Sequence, residues 1–236
     1  MQKYWERINE RHNVLFYLFR NKAALNERLV IDLLHIYYDI ITETFDSEVY
    51  MSLKDKKKWD AKYSDDGRIS SKAPSEWLTT HTGLLSGKGK ALDIAAGEGR
   101  NSVFAASMGY EVVCMDISEV ALSKAHALAR EKNVKITTLS ADLDNSSLPK
   151  NEYDLIICFN FLERNLFPEI QNTLKAGGIL FYETFTVDYL KYSNFKRQWV
   201  LEHNELLKAF QGFRILRYRE VDENQEAFAS LIAQKI

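Results

Sequence analysis

A chain of 236 residues, 46% of them hydrophobic, is long enough for one domain of ordinary size with some additional structure. Its formal net charge is -2, and residues 51–236 carry 25 acidic and 25 basic side chains. This balance excludes the global basic bias of a nucleic-acid-binding protein, so we do not expect nucleic acid as a partner.

The N-terminal region predicts helices without strands. Apolar residues between Val30 and Phe45 recur at helical spacing, and a shorter apolar run precedes them. We interpret residues 1–50 as an N-terminal helical extension and residues 51–236 as the main domain. The extension is interpreted as an appendage packed on that domain, as a homodimerisation or partner-binding surface, or as a dispensable segment if Met51 is the natural start.

Neither an export signal nor a membrane span is visible in the sequence. Charged residues interrupt both the N-terminus and the most apolar stretch, residues 25–45. Cys114 and Cys158 lie in apolar, strand-like runs, which favours reduced and buried thiols over a disulfide. We therefore expect a cytoplasmic protein.

From Lys90 onward, strand and helix patterns alternate, which predicts a Rossmann-like α/β fold with helices on both faces of a sheet. The last two strands are separated by a short polar turn, 222–225, so we expect a mostly parallel seven-stranded sheet with one antiparallel strand. The predicted strands are 90–95, 111–115, 134–139, 153–159, 178–185, 213–220 and 226–235, and the predicted helices are 100–108, 118–132, 163–174 and 204–210.

A glycine-containing turn follows the first of these strands. Gly97 and Gly99 allow a tight bend and close approach of a ligand, and the next helix points its free amides at the turn. Asp116 ends the second strand 19 positions after Gly97, a spacing that suits an acid gripping both hydroxyls of a ribose. A dinucleotide site would want a third glycine where Ser102 stands, which disfavours NAD. An ordinary strand-to-helix turn without a ligand is the remaining interpretation.

With these motifs the sequence resembles the class I S-adenosylmethionine-dependent methyltransferases, and within them the tellurite-resistance-type small-molecule branch. The resemblance is carried by Trp59 with Tyr63, by the turn from Asp93 to Asn101, and by the run Tyr182-Glu183-Thr184-Phe185. It covers about residues 59 to 236 and is strong for the cofactor half. It implies S-adenosyl-L-methionine as the cofactor and a small molecule as the methyl acceptor.

The resemblance also implies roles for individual residues. Asp116 is expected to bind the ribose and Asp142 the adenine amino group, with an alternative role for Asp142 in a turn. Arg100 or Asn101 is expected to hold the methionine carboxylate, although an arginine in this position is also typical of an exposed first helical turn. The predicted cofactor-binding residues are Trp59, Tyr63, Asp93, Ala95, Gly97, Gly99, Arg100, Asn101, Asp116, Ile117, Ala141, Asp142, Leu143, Asn160 and Phe161.

Trp59 and Tyr63 are four positions apart on a predicted helix, so they share one face of it. On that face they are interpreted as a lid over the cofactor or as core packing.

Three residues near two strand ends are predicted to be catalytic: Arg164, Tyr182 and Glu183. Arg164 is expected to hold an anionic acceptor or else to cap the local helix pairings. Glu183 is the candidate general base, with a structural hydrogen-bonding role as its alternative. The segment after the fourth strand begins with Asn160 but has no proline pair, which argues against methylation of a DNA base amino group.

The motifs contain no strong acid–base pair and no histidine spacing that suggests a metal site. We therefore expect catalysis mainly from alignment and exclusion of water, which favours a thiol or chalcogen acceptor that is already nucleophilic. The alternative function is an S-adenosylmethionine-binding module without catalysis that acts as an interaction or regulatory protein.

Overall fold

The computed structural model describes residues 53–64, 67, 71–144 and 147–236. The predicted helical extension, residues 1–50, and its boundary with the main domain lie outside these ranges. Trp59–Ile236 form one compact unit. Its first residues, 59–63, are helical, as their spacing predicted.

The remaining elements alternate as the sequence indicated, and most predicted boundaries agree with the structure to within two residues. The strands are β1 Lys90–Ile94, β2 Glu111–Asp116, β3 Thr137–Ser140, β4 Tyr153–Phe159, β5 Leu174–Phe185, β6 Phe213–Glu223 and β7 Glu226–Lys235. The α-helices are α1 Glu76–Thr80, α2 Arg100–Ser107, α3 Glu119–Glu131, α4 Leu166–Thr173 and α5 Glu205–Ala209.

These strands form a seven-stranded sheet in the order β3-β2-β1-β4-β5-β7-β6. The first five strands are mutually parallel, and β7 is antiparallel to both of its neighbours, β5 and β6. The connection between β6 and β7 is the two-residue turn Asn224-Gln225, with both φ angles positive, at 54° and 65°. Such turns match the twist of a hairpin. The predicted Rossmann-like fold with one antiparallel strand is confirmed.

Apolar side chains cover both faces of the sheet, because alternate strand residues point to opposite sides. On one face, residues such as Ile156 pack with Phe167 of α4 and Leu206 of α5. On the other face, residues such as Ile157 pack with Trp77 of α1 and with α2. This two-sided burial fixes the register and leaves only the strand ends free to form a site.

Four boundaries differ from the predicted ones by more than two residues, at the starts of β3, α4 and β5 and at the end of β6. The predicted helix 163–174 and strand 178–185 leave residues 175–177 as a connection, but β5 begins at Leu174, directly after α4, so Gly177 and Gly178 both lie within the strand. Gly177 has a φ of 78°, and the pairing with β4 slips in register between Tyr153 and Leu155, so the glycines accommodate an irregularity in the strand.

β3 begins three residues later than predicted. Asn133 adopts a φ of 56°, and the Val134 amide donates to the Ala129 carbonyl at 3.0 Å. This pattern is a helix-ending motif, so the chain is still completing the C-terminus of α3 where the strand was expected.

Both cysteines are free and buried, as predicted. None of the helices in the described ranges has the length and apolar character needed to cross a membrane.

Candidate functional site

The turn after β1 requires glycine at position 99. Gly99 is the N-cap of α2 with a φ of 77°, and its carbonyl accepts the Val103 amide at 2.9 Å. A Cβ atom at Gly99 would lie 2.5 Å from the Ala125 Cβ on α3. Glycine therefore permits both the left-handed backbone and the close packing of α2 against α3.

Asp116, at the end of β2, connects the turn after β1 to the turn after β2. One of its carboxylate oxygens accepts the Gly97 amide at 2.8 Å, and the other accepts the Ser118 amide at 2.9 Å. The side chain is buried, which raises the pKa of Asp116, while these backbone donors act in the opposite direction. Each carboxylate oxygen can accept more than one hydrogen bond, so the group remains able to bind ribose hydroxyls.

Asp93, near the end of β1, lies beneath the turn. It is 2% exposed and accepts a hydrogen bond from the Ser102 hydroxyl at 2.6 Å. Burial raises the pKa of Asp93 to about 7, and the Arg100 charge opposes that rise. Ser102, the residue that disfavoured NAD, thus has a positive role as the support of Asp93. The sequence interpretation missed this role.

The other predicted residues at the turn have different environments. Ala95 adopts a φ of 52°, which sharpens the exit from β1. The Asn101 side chain is buried and accepts the Ser75 amide at 2.8 Å, so it anchors the segment before α1. Arg100 is partly exposed at the first position of α2, and its charge acts on both Asp93 and Glu183.

The helical residues 59–63 lie against the turns that follow β1 and β2. The Trp59 and Tyr63 rings stack with centroids 5.9 Å apart, and a Cβ atom at Gly97 would lie 2.9 Å from the Tyr63 hydroxyl. The Asp60 carboxylate accepts the Ser118 hydroxyl at 2.7 Å, which fixes this helix to the start of α3. Asp60 was missed, although its place between the two predicted aromatic residues was a usable signal.

The residues after β2 and β3 meet at the same edge of the sheet. Ile117 lies in the bend between Asp116 and α3, and the Ala141 amide donates to the Asp116 carbonyl at 3.0 Å. Asp142 accepts the Asp144 amide at 3.1 Å in a local turn, and Leu143 is buried in the core. The predicted ribose and adenine residues therefore end or follow two adjacent strands at the same edge of the sheet.

Tyr182 belongs to the core. It is 1% exposed, packs edge-on against Phe167 and donates its hydroxyl proton to the Phe161 carbonyl at 3.0 Å. Its side chain therefore positions the loop after β4 and does not reach an acceptor molecule directly. Asn160, in that loop, is exposed with a φ of 57°, and its amide donates to the Glu183 carbonyl at 2.8 Å.

Arg164 is engaged by protein groups. Its guanidinium donates to both carboxylate oxygens of Glu205, at 2.6 and 2.9 Å, and to the carbonyls of Gln198 and Val200, at 2.8 and 2.9 Å. All four of these hydrogen bonds are made to groups of the protein itself. The residue fastens the segment between β5 and α5.

The environment of Glu183 differs from those of Tyr182 and Arg164. Its side chain is 17% exposed, and it accepts hydrogen bonds from Ser230 of β7 and Arg219 of β6. The sequence interpretation selected neither partner. Within the described residues, no group of His, Cys, Asp or Glu is arranged to hold a metal ion.

Comparisons with known proteins agree with this geometry. A family model described as a methyltransferase domain matches residues 91–178, from β1 into β5. The probable S-adenosyl-L-methionine-dependent methyltransferase TehB of Haemophilus influenzae is 27% identical over 165 residues, which cover 62% of this chain and 57% of TehB. A ubiquinone biosynthesis O-methyltransferase from Azoarcus sp. is 31% identical over 50% of this chain and 52% of its own length.

The solved structures give the same result for the fold. The crystal structure of Haemophilus influenzae TehB superimposes with a TM-score of 0.61 at 21% identity, covering 72% of this chain and 65% of that one. The fold is that of the class I methyltransferases. Within that fold class, the chain is similar to TehB and matches a methyltransferase domain over residues 91–178. It spans little more than half the length of the curated relatives named above.

Proposed function

We propose that this protein binds S-adenosyl-L-methionine at the carboxyl ends of β1, β2 and β3 and transfers its methyl group to a small-molecule acceptor. The hydrogen bond from the Gly97 amide to Asp116 carries the proposal. It joins a glycine turn and a buried acid, two features that a nucleoside-containing cofactor needs in the same place.

The groups at this edge fit the cofactor. The Asp116 carboxylate suits two ribose hydroxyls, and the bend around Ala95 and Gly97 presents backbone carbonyls for an ammonium group. Asp142 provides an acceptor for the adenine amino group. The stacking of Trp59 on Tyr63 and the bond from Ser118 to Asp60 support a role for the two rings in covering the cofactor and excluding water.

When bound, S-adenosyl-L-methionine supplies an electrophilic methyl group on a positively charged sulfur. The task of the protein is then to align the nucleophile with that methyl group and to exclude water. The exposed end of β4 and Glu183 of β5 lie at the same edge, beside the turn that would hold the cofactor. A thiol or chalcogen acceptor is favoured, because sulfur and its heavier analogues are strong nucleophiles near neutral pH.

The first test is cofactor binding by calorimetry. S-adenosylhomocysteine should bind, NAD should bind more weakly or not at all, and Asp116→Ala should weaken S-adenosylhomocysteine binding by about 1.5–3 kcal/mol through loss of a charge-assisted hydrogen bond. Asp222→Ala, which changes a carboxylate of β6, is the matched control and should leave the affinity unchanged. Preferential binding of NAD would overturn the proposal.

The second test is turnover. Release of S-adenosylhomocysteine is measured over a panel of thiols, selenols, phenols, amines and carboxylates. We expect activity among the thiols and selenols. Tight cofactor binding with no turnover on any member would favour the alternative, a binding module that acts on other proteins.

We also propose a cytoplasmic location, supported by the two free thiols at Cys114 and Cys158, which persist in a reducing compartment.

A further inference from the structure

Three polar residues form a row across the part of the sheet that contains the antiparallel strand. Glu183 of β5 pairs with Ser230 of β7, and Ser230 pairs with Arg219 of β6. Directly paired residues project from the same face of a sheet, so the three side chains lie side by side. This face also carries Trp77 of α1.

The contacts within the row hold one side of the Glu183 carboxylate. The Ser230 hydroxyl donates to Oε2 at 2.5 Å, and Nη2 of Arg219 lies 3.5 Å from the same oxygen. Nε of Arg219 also donates to the Ser230 hydroxyl at 3.2 Å. Because the Ser230 hydroxyl and Nη2 of Arg219 both donate to Oε2, the carboxylate is oriented while Oε1 retains its capacity to accept a proton.

Aromatic rings fix the position of Arg219. The guanidinium carbon lies 4.4 Å from the centroid of the Trp77 ring and 5.1 Å from that of Phe228. Trp77 is 8% exposed, whereas the Arg219 side chain is 42% exposed. The cation therefore rests on a rigid aromatic surface and keeps its donors directed at Glu183.

The row ends next to the proposed methyl-transfer site. Glu183 pairs with Phe159, the last residue of β4, and its carbonyl accepts the Asn160 amide at 2.8 Å. The charge of Arg100, from the first turn of α2, acts on the Glu183 carboxyl. Glu183 is therefore a partly buried carboxylate at the edge where a methyl acceptor would meet the cofactor.

Burial and the polar groups around Glu183 act on its pKa in opposite directions. Burial raises the pKa of Glu183, whereas the hydrogen bond from Ser230 and the positive charges of Arg219 and Arg100 lower it. A general base works best when its pKa is close to the working pH. Burial supplies basicity that an exposed glutamate lacks, and the three partners oppose that rise by favouring the ionised carboxylate.

We infer that Arg219 and Ser230 are positioning residues that hold Glu183 as the proton acceptor for a thiol that binds in its neutral form, an inference that rests on the methyltransferase function proposed above. The thiol S–H bond breaks and its proton passes to Glu183. The released electron pair forms the new S–C bond as the methyl carbon leaves the sulfonium sulfur, which keeps the electrons of the broken bond. Glu183 later returns the proton to water.

The direct test compares two acceptors, an alkyl thiol that is protonated at neutral pH and an aryl thiol that is already ionised. Glu183→Gln should reduce turnover of the alkyl thiol by about 10²-fold or more, the usual contribution of a general base, and should change turnover of the aryl thiol much less. Equal losses on both thiols, with cofactor affinity unchanged, would overturn the inference and leave Glu183 a structural role.

The positioning role is tested by the pH dependence of kcat/KM for the alkyl thiol. Arg219→Met and Ser230→Ala should each move the acidic limb to higher pH, because each removes a partner that stabilises the ionised carboxylate, and Arg219→Lys should restore part of the shift. Arg217→Met, two residues earlier on the same strand, is the matched control and should leave the limb in place. A fall in rate without movement of the limb would contradict the positioning role.

A third readout needs no turnover. The Glu183 carboxyl is titrated by NMR in the cofactor-free protein with carbon-labelled glutamate. Its titration should move to higher pH in Arg219→Met and Ser230→Ala but not in Arg217→Met. Failure to bind S-adenosylhomocysteine would defeat the proposed function, whereas an unmoved titration in a protein that still binds it would defeat only this inference.

Discussion

The two ends of the sheet edge are built by different means. At the proposed cofactor end, the turn after β1 and the acid that ends β2 are consecutive features of the chain, and backbone amides supply the main contacts. At the proposed acceptor end, Glu183, Arg219 and Ser230 come from three strands, and Arg219 and Ser230 are 36 and 47 residues distant from Glu183. The first end is constrained by backbone geometry, and the second by side chains joined through the hairpin of β6 and β7.

This difference predicts which amino-acid substitutions the fold tolerates at each end. A backbone cradle depends on glycine and on the register of adjacent parallel strands, so substitution there should damage folding or cofactor binding directly. A side-chain row depends on a few contacts at the surface of a stable sheet. Substitution there should alter chemistry while the fold survives.

The largest effect is expected from Gly99→Ala. The left-handed backbone disfavours any Cβ, and the new methyl group would collide with Ala125, so the free energy of unfolding should fall by about 2–5 kcal/mol. Chemical denaturation measures this loss. Gly212→Ala is the matched control, because a Cβ at Gly212 meets no heavy atom within 4 Å, and it should be nearly neutral. An unchanged free energy of unfolding in Gly99→Ala would show that the backbone geometry does not constrain the turn after β1.

The next effect concerns Asp93 and is expected to depend on pH. Burial raises its folded-state pKa from 3.8 to about 7, so between these values the folded protein binds a proton that the unfolded chain does not. The associated stability is present at low pH and is lost as pH rises through the folded-state pKa. At neutral pH, ionising the buried group costs at most about 4 kcal/mol.

Asp93→Asn removes this penalty and keeps an acceptor for the Ser102 hydroxyl. Denaturation of the cofactor-free proteins is measured from about pH 4.5 to pH 8. The variant should gain stability relative to the natural sequence as pH rises, and the two curves should approach each other at the acidic end. Parallel curves over the whole range would show that Asp93 is not titrating in this window.

The smallest effect is expected at the acceptor end, from Arg164→Ala. The arginine joins Glu205 to the carbonyls of Gln198 and Val200, but its side chain is 40% exposed, so solvent screens the ion pair. We expect a loss of about 1 kcal/mol in stability and faster amide exchange across residues 197–205, with unchanged cofactor affinity. Arg197→Ala is the control, because its ion pair with Glu202 is more exposed. A large loss of cofactor affinity would contradict the separation of the two ends.

Much of the architecture could be predicted from local patterns. Strand β4 agrees with its predicted bounds, and the hairpin of β6 and β7 follows from a polar turn between two apolar runs. The start of β3 could not be predicted in this way. Val134 and Ile136 have strand-like side chains, but the hydrogen bond from Val134 to Ala129 keeps the chain in the helix-ending turn.

At the site, sequence spacing was informative where contacts are local and uninformative where they are not. It identified Asp116 and Gly97, which are in contact, because adjacent parallel strands place their carboxyl ends together. The sequence interpretation grouped Tyr182 with Glu183 because they are neighbours in the chain. In the structure, Tyr182 lies in the core and Glu183 lies at the sheet edge. Alternation along a strand predicts opposite faces, but it does not say which face holds the site.

By itself, the sequence determined the order of elements, the glycine turn, the acid that ends β2 and the family resemblance. Each of these depends on residues that are close along the chain or that recur at a fixed period. The tertiary structure alone decided that Arg164 binds Glu205, that Ser102 supports Asp93 and that Arg219 and Ser230 meet Glu183. These contacts join residues from separate elements, and they exist only once strand register and helix packing have brought polar side chains within hydrogen-bonding distance.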